Sequence, residues 1–234
     1  MNLFLAEMVG TAIILLFGVG VNCSVSLDKM FAKGAGWIVI AWGWAMGVTL
    51  GIYASGSISG AHLNPAVTLA LAASGQFDWA LGPLYIAAQF VGAMLGAGIV
   101  WLAYKDHFAA TQDPGTKLGV FSTGPAIPNT VSNFLTEFIA TFILLFCILA
   151  IGANKFTDGL NPFIVGMLIL ALGLSFGSST GYALNPARDL GPRIMHAILP
   201  IPGKGDSNWG YAWIPVVAPI CGGICGALVY TMMF

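Results

Sequence analysis

The sequence predicts an all-α membrane protein with six transmembrane helices and two re-entrant half-helices, arranged as an inverted repeat. Three observations carry this. Of 234 residues, 58% are hydrophobic and 7% charged, against roughly 25% charged in a soluble domain. The apolar residues fall into six stretches, each near the ~20 residues that cross a hydrocarbon core of ~30 Å. The tetrad Leu-Asn-Pro-Ala occurs twice, at Leu63–Ala66 and Leu184–Ala187, and interrupts the apolar pattern both times.

The first span, residues 3–26, has no basic leader, exceeds the about 7–15 apolar residues of a signal peptide and carries Glu7, so it reads as a retained helix. The second covers 35–55. After it, "SGSISGAH" is too rich in Gly and Ser for a helix and must line something wet or packed, because bare backbone cannot face lipid. Asn64 is then an N-cap and Pro65 a first helical residue. From Pro65 to the break at Ser74-Gly75 is about 15 Å of helix, half the core. The third span is 80–104. Residues 105–130, rich in Gly, Pro, Thr and Asn, read as a long exposed connection. The fourth span is 131–152 with the lone Glu137, and the fifth is 160–178. "GSSTGYA" then leads to the second cap-and-proline pair, Asn185-Pro186, and the sixth span is 209–233. Runs such as "FIATFILLFCILAIGA" do not alternate apolar and polar residues, which excludes a barrel.

The chain therefore divides into 1–104 and 131–234, joined by 105–130, within one domain. Each half reads as a glutamate-bearing helix, a second helix, an Asn-Pro-Ala segment and a third helix. Gly43, Gly47 and Gly51 in the second helices match Gly173 and Gly177 as small-residue packing positions; Gly92 with Gly96 matches Gly222 with Gly226 in the third helices. An odd number of spans per half turns the second half over. The half-helices then enter from opposite faces, and Asn64 and Asn185 meet near the midplane.

A net charge of −1 argues against a nucleic-acid partner. Cys23, Cys147, Cys221 and Cys225 lie in or beside apolar segments and read as small hydrophobes; His107 and His196 read as loop or helix-end residues. No nucleophile, metal cluster or phosphate loop stands in a plausible setting, so neither an enzyme nor a metal or cofactor is expected. Glu7 and Glu137 have two readings, proton relay or hydrogen-bonded loop support. Support is favoured because neither has a basic partner or a chain of titratable groups beside it.

Paired Asn-Pro-Ala boxes in inverted three-helix halves resemble the aquaporin superfamily, also called major intrinsic proteins, across essentially the whole chain. That resemblance implies a selectivity filter at four positions: Trp44, twenty residues before Asn64; Gly173, twelve before Asn185; and Tyr182 and Arg188 beside the second box. Trp and Gly where water-selective members resemble Phe and His, together with "NPARD", are similar to the glycerol-facilitator branch, although Tyr182 stands where that branch resembles Phe. In the filter so implied, Gly173 leaves room for a carbon skeleton, Trp44 and Tyr182 face its C–H groups, and Arg188 donates to hydroxyls from the opposite side. Trp44 also has a packing reading, as does Gly173, whereas an arginine at membrane depth is functional by default.

The expected function is a passive channel for small uncharged solutes, glycerol and water first, with undissociated lactic acid or hydrogen peroxide as further candidates. Carbonyls of Gly60, Ala61 and His62, and of Tyr182, Ala183 and Leu184, would accept hydrogen bonds along the path. The amides of Asn64 and Asn185 would donate at its centre, and protons and ions would be excluded. A water-selective channel and, behind it, a proton-coupled transporter are the alternatives. The resemblance further implies a homotetramer in a bacterial cell membrane with both termini cytoplasmic. Lysine placement opposes that orientation: Lys29, Lys33, Lys105, Lys117 and Lys204 fall on the outer side and Lys155 alone on the inner.

Overall fold

The computed structural model describes residues 2–234. Six helices are long and apolar enough to cross a membrane: α1 (Leu3–Ser26), α2 (Trp37–Ser59), α4 (Gly82–Ala103, preceded by a 3₁₀ turn at Trp79–Leu81), α7 (Thr130–Gly152), α8 (Asn161–Thr180) and α10 (Ile214–Met233). Two short helices follow the Asn-Pro pairs, α3 (Pro65–Ala73) and α9 (Pro186–Ile198). At 1.5 Å per residue they reach about 14 and 20 Å, too short to cross. The remaining two, α5 (Lys105–Ala110) and α6 (Pro114–Phe121), lie between the halves. There is no strand among the described residues.

Small residues decide how the helices meet. A Cβ on Gly92 would strike the Met8 carbonyl, and one on Gly96 would sit 2.6 Å from the Ala12 carbonyl, so α4 lies directly on the α1 backbone. Gly222 and Gly226 give α10 the same approach to the Phe138 and Phe142 carbonyls of α7. Without a side chain between them, the backbones gain dispersion contact that a lipid tail cannot offer. The half-helices pack across the halves: Gly223 of α10 faces Ala66 of α3, and Gly191 of α9 faces Ala93 of α4.

The second helices depart from the expected match. Gly47 and Gly51 do lie against α1, over the Ile14 and Gly10 carbonyls. Gly173 and Gly177 meet no α7 backbone; their missing side chains make room for Tyr182 and Trp37. Counting from the helix ends explains the mismatch: Gly60 and Gly181 both close their helices in the left-handed conformation (φ 80° and 90°), so Gly173 corresponds to Ile52, not to a glycine.

The connection 105–130 is not a loop throughout: it holds α5 and α6 and is pinned by buried side chains, although much of its surface is exposed. Phe108 of α5 and Phe121 of α6 stack at 5.4 Å between centroids, both fully buried. Asp113 caps α6, accepting from Gly115 N and Thr116 N, and its hydrogen bond from the Thr116 hydroxyl holds the carboxyl below its ordinary range. Composition drew attention to the Gly, Pro and Thr, while Phe108, Val120 and Phe121 supply the apolar anchors. The sixth span begins at Ile214 rather than 209, because Trp209–Trp213 is a turn ahead of Pro215.

Candidate solute pathway and its filter

The two loops ahead of the half-helices carry the same strain. Ala61 and Leu63 have φ of 52° and 53°; Tyr182 and Leu184 have 39° and 55°. Each left-handed non-glycine residue costs about 1–2 kcal/mol, so something must hold the loops. Glu7, with no exposed surface, does so in the first half. Its Oε1 accepts from Ser59 Oγ (2.6 Å) and His62 N (3.0 Å), and its Oε2 from Leu63 N (2.8 Å) and Gln89 Nε2 (2.8 Å). Glu137, equally buried, accepts from Thr180 Oγ1 (2.6 Å), Ala183 N (3.0 Å) and Leu184 N (3.2 Å).

Asn64 and Asn185 meet at the centre. Asn64 Nδ2 donates to the Leu184 carbonyl at 2.9 Å, and Asn185 Nδ2 donates to the Leu63 carbonyl at 2.8 Å. Each side-chain oxygen caps its own half-helix: Asn64 Oδ1 accepts from Ala66 N, and Asn185 Oδ1 from Ala187 N and Arg188 N. With the oxygen occupied and one of two amide hydrogens used, each asparagine offers the path a donor and no acceptor. The Leu184 carbonyl is thus engaged by Asn64.

A cavity of about 190 Å³ runs past this pair. Its polar stripe is the backbone of Gly60–Leu63 and of Tyr182–Leu184, with the two asparagines; Val48, Ile52, Leu144, Ile148, Val165 and Ile169 face it. His62 lines it too, its ring held by Thr68 Oγ1 at 3.1 Å and packed on Phe77 and Tyr85. A second, outer cavity of about 420 Å³ lies under α6 and the segment after it. Trp44, Tyr182 and Arg188 are the residues that line both, so the four filter positions are not equivalent: three form a partition and the fourth, Gly173, reaches neither cavity. A Cβ there would lie 3.0 Å from Tyr182 Cζ. The recess expected to hold solute is filled by the tyrosine ring.

Arg188 also departs from expectation. Its guanidinium carbon lies 3.8 Å from the Trp44 ring centroid, so it stacks on the indole instead of standing opposite. Two groups that close leave no layer for a solute carbon between them. Arg188 Nη1 and Tyr182 Oη are both buried with no hydrogen-bond partner among the described residues. Trp44 is fixed from behind, its indole donating to Asn22 Oδ1 (3.1 Å), while Asn22 Nδ2 donates to the Val120 carbonyl of α6 (3.2 Å). Gly18 makes room for its ring.

Beside Arg188, Asp189 and Arg193 form a fully buried ion pair at 2.9 Å. Asp189 Oδ2 accepts from Thr123 N and Oγ1, and Arg193 donates to the carbonyls of Thr123, Ser207 and Asn208, which ties α9 to both flanking segments. The sequence reading missed this network, as it missed Asn22 and Gln89. For Gln89 a signal was available, since it is the one amide within the apolar α4; Asn22, among the serines at the end of α1, carried none.

Among known families, the model for major intrinsic protein matches residues 1–230. The chain is 58% identical over its full length to a glycerol uptake facilitator protein of Bacillus subtilis (strain 168), covering 85% of that relative. It is 53% identical to a probable glycerol uptake facilitator protein of Thermotoga maritima, covering all of both chains. Among solved structures, the X-ray structure of the aquaglyceroporin from Plasmodium falciparum matches with a TM-score of 0.85 at 31% identity, over 97% of this chain and 94% of that one.

Proposed function

The chain belongs to the major intrinsic protein family, and from that premise we propose that it is a passive membrane channel for glycerol and water, excluding ions and protons. The observation that carries this is the pair of donor-only asparagines in a path with one polar and one apolar wall. A polyol has the matching two sides. Its hydroxyls exchange water for the backbone carbonyls of the stripe, and its C–H groups lie on the aliphatic wall. Conduction needs replacement bonds that are available without being retentive, and neutral carbonyls in series meet that condition.

Proton exclusion follows from the same centre. A water or hydroxyl oxygen between Asn64 and Asn185 accepts from both, so its own hydrogens point outward along the two arms and no chain of like-oriented bonds passes through. The positive ends of α3 and α9 add to the barrier. Arg188 and Tyr182 form the outer partition, with Arg188 leaving the Trp44 face as solute enters; a stacked guanidinium of this kind is held by about 0.5–2 kcal/mol. Glu7 and Glu137 hold the strained loops. No group is left to couple flux to a gradient, and no chemical step is proposed.

We take the assembly to be a homotetramer with a pore in each subunit, in a bacterial cell membrane with both termini inside. Two of the outer lysines are tied to backbone carbonyls, which weakens the opposing lysine count without reversing it. Lys204 Nζ donates to the Ala197 and Leu199 carbonyls at the end of α9, and Lys117 Nζ to those of Pro202 and Gly203. Spent as internal caps, they leave Lys29, Lys33 and Lys105 against Lys155, and Lys33 is paired with Asp28.

The test is a solute panel in proteoliposomes: water, glycerol, urea, hydrogen peroxide, and lactic acid at low pH. Glycerol flux that is linear in its gradient below saturation and indifferent to a pH gradient supports the channel. Flux driven by a pH gradient restores the transporter, and water flux without glycerol flux restores the water-selective alternative.

A further inference from the structure

Trp37 belongs to none of the positions considered so far, yet it touches two of them. It is the first residue of α2, after Gly36 (φ 92°), and lines the outer cavity together with Tyr182 and Arg188. Its indole Nε1 donates to the Gly173 carbonyl at 2.8 Å, across 136 residues of sequence. Its ring meets the Tyr182 ring edge-on, at 5.8 Å between centroids and 68° between planes. A Cβ on Gly177 would lie 2.7 Å from Trp37 Cζ2 and 2.6 Å from Tyr182 Cδ1. Gly173 and Gly177 thus form one notch that takes two rings.

A helix carbonyl already accepts the N–H four residues on, and its second lone pair is free. Gly173 has no side chain of its own to cover that lone pair, and it is Trp37, between the carbonyl and the outer cavity that it lines, that keeps Gly173 out of both cavities. Resting on the channel reading above, we propose that Trp37 is a selectivity residue of the outer lip: its N–H withdraws the Gly173 carbonyl from passing solutes, while its ring pins Tyr182 in the notch. An uncovered acceptor at the lip would bind each hydroxyl that arrives, and a retentive mouth slows throughput. Edge-to-face contact keeps the Tyr182 ring from swinging across the partition.

Trp37→Phe removes the donor and keeps a ring; Trp37→Leu removes both. In proteoliposomes, glycerol influx through Trp37→Phe should saturate at about fivefold lower concentration than in the wild type, the factor one neutral hydrogen bond carries, with a lower maximum. Water permeability above that of empty vesicles shows that the pore has folded. Trp37→Leu should show the same early saturation and also admit a four- or five-carbon polyol that the wild type rejects. A Trp37→Phe channel with wild-type saturation overturns the latch, and a Trp37→Leu channel with wild-type size discrimination overturns the ring support. Should Trp37→Phe fail to fold, Trp37→His, which keeps a ring N–H, is compared with Trp37→Leu, and equal saturation in those two overturns the latch. A wild type that passes water but no glycerol defeats the glycerol reading alone. The latch is then scored on water, whose activation energy must rise in Trp37→Phe and which overturns the proposal if it does not.

Discussion

Replacing Glu7 by Gln separates a carboxylate that holds a loop from one that carries protons. Each of its oxygens faces a backbone donor, His62 N on Oε1 and Leu63 N on Oε2, together with one side-chain donor. A glutamine has one oxygen and one NH₂, so in either orientation an amide N–H confronts a backbone N–H. The side chains adapt: the Ser59 hydroxyl rotates to accept, and Gln89 turns to present its Oε1, which has no partner among the described residues. The loss is therefore confined to one buried backbone donor, about 1–3 kcal/mol. At about 2–4 °C per kcal/mol for a chain of this length, the detergent-solubilised protein should melt several degrees lower, while glycerol flux well below that temperature keeps its magnitude and its indifference to pH. Glu137→Gln should lie at the small end of the range, because its NH₂ can face Leu184 N, the longest of its contacts at 3.2 Å. A Glu7→Gln protein that melts like the wild type but gains or loses a pH dependence of flux would refute the reasoning and make the carboxyl a titrating group on the path.

Gly92→Ala and Gly222→Ala force a methyl into a backbone carbonyl and should abolish folded yield by size-exclusion chromatography. Gly173→Ala meets only the Tyr182 ring, 3.0 Å away, and should fold with reduced glycerol flux and water flux retained; equal damage in all three would deny the glycines distinct roles. Asp189→Asn strands a fully buried guanidinium, at about 3–5 kcal/mol, so expression should collapse. Asp189→Leu combined with Arg193→Met should recover part of it, and an Asp189→Asn protein as stable as the wild type would count against the network. Arg188→Val joins the two cavities between Trp44 and Tyr182, so water flux should be kept or raised and vesicles should become leaky to protons. Vesicles that stay tight would remove Arg188 from the constriction.

What was legible beforehand follows the reach of each interaction. The six spans and the starts of both half-helices rest on apolar length and on the Asn-Pro caps, which are local; the Gly- and Ser-rich stretches ahead of the caps misled in part, because Ser55–Ser59 and Gly177–Thr180 continue the preceding helices and only the last residues before each asparagine are extended. The glutamates' partners were readable in kind, because a carboxylate buried without a basic neighbour must accept from backbone. Trp37 and Asn22 were not, since their roles lie in contacts with Gly173 and Trp44 that cross from one helix to another. The glycine spacing in α8 misled for the same reason: packing on a neighbouring helix and making room for a ring from the following loop call for the same residue. Stacking of Arg188 on Trp44 depends on side-chain direction, which no spacing expresses.

The crossed bonds between Asn64 and Asn185 impose an order on biosynthesis. Asn64 finds the Leu184 carbonyl 120 residues further along the chain, and Leu63 waits for Asn185 over 122. At about 5–20 residues per second, the first loop therefore spends on the order of ten seconds after its own translation without its central partner. Glu7 and Gln89, both made within the first 89 residues, are what it has meanwhile. The second loop has no such interval, because its partner is already in the membrane when it arrives, and Glu137 has no amide corresponding to Gln89. The uneven furnishing of two otherwise mirrored loops suits a chain made from one end, in which the half that emerges first has its own support while it waits.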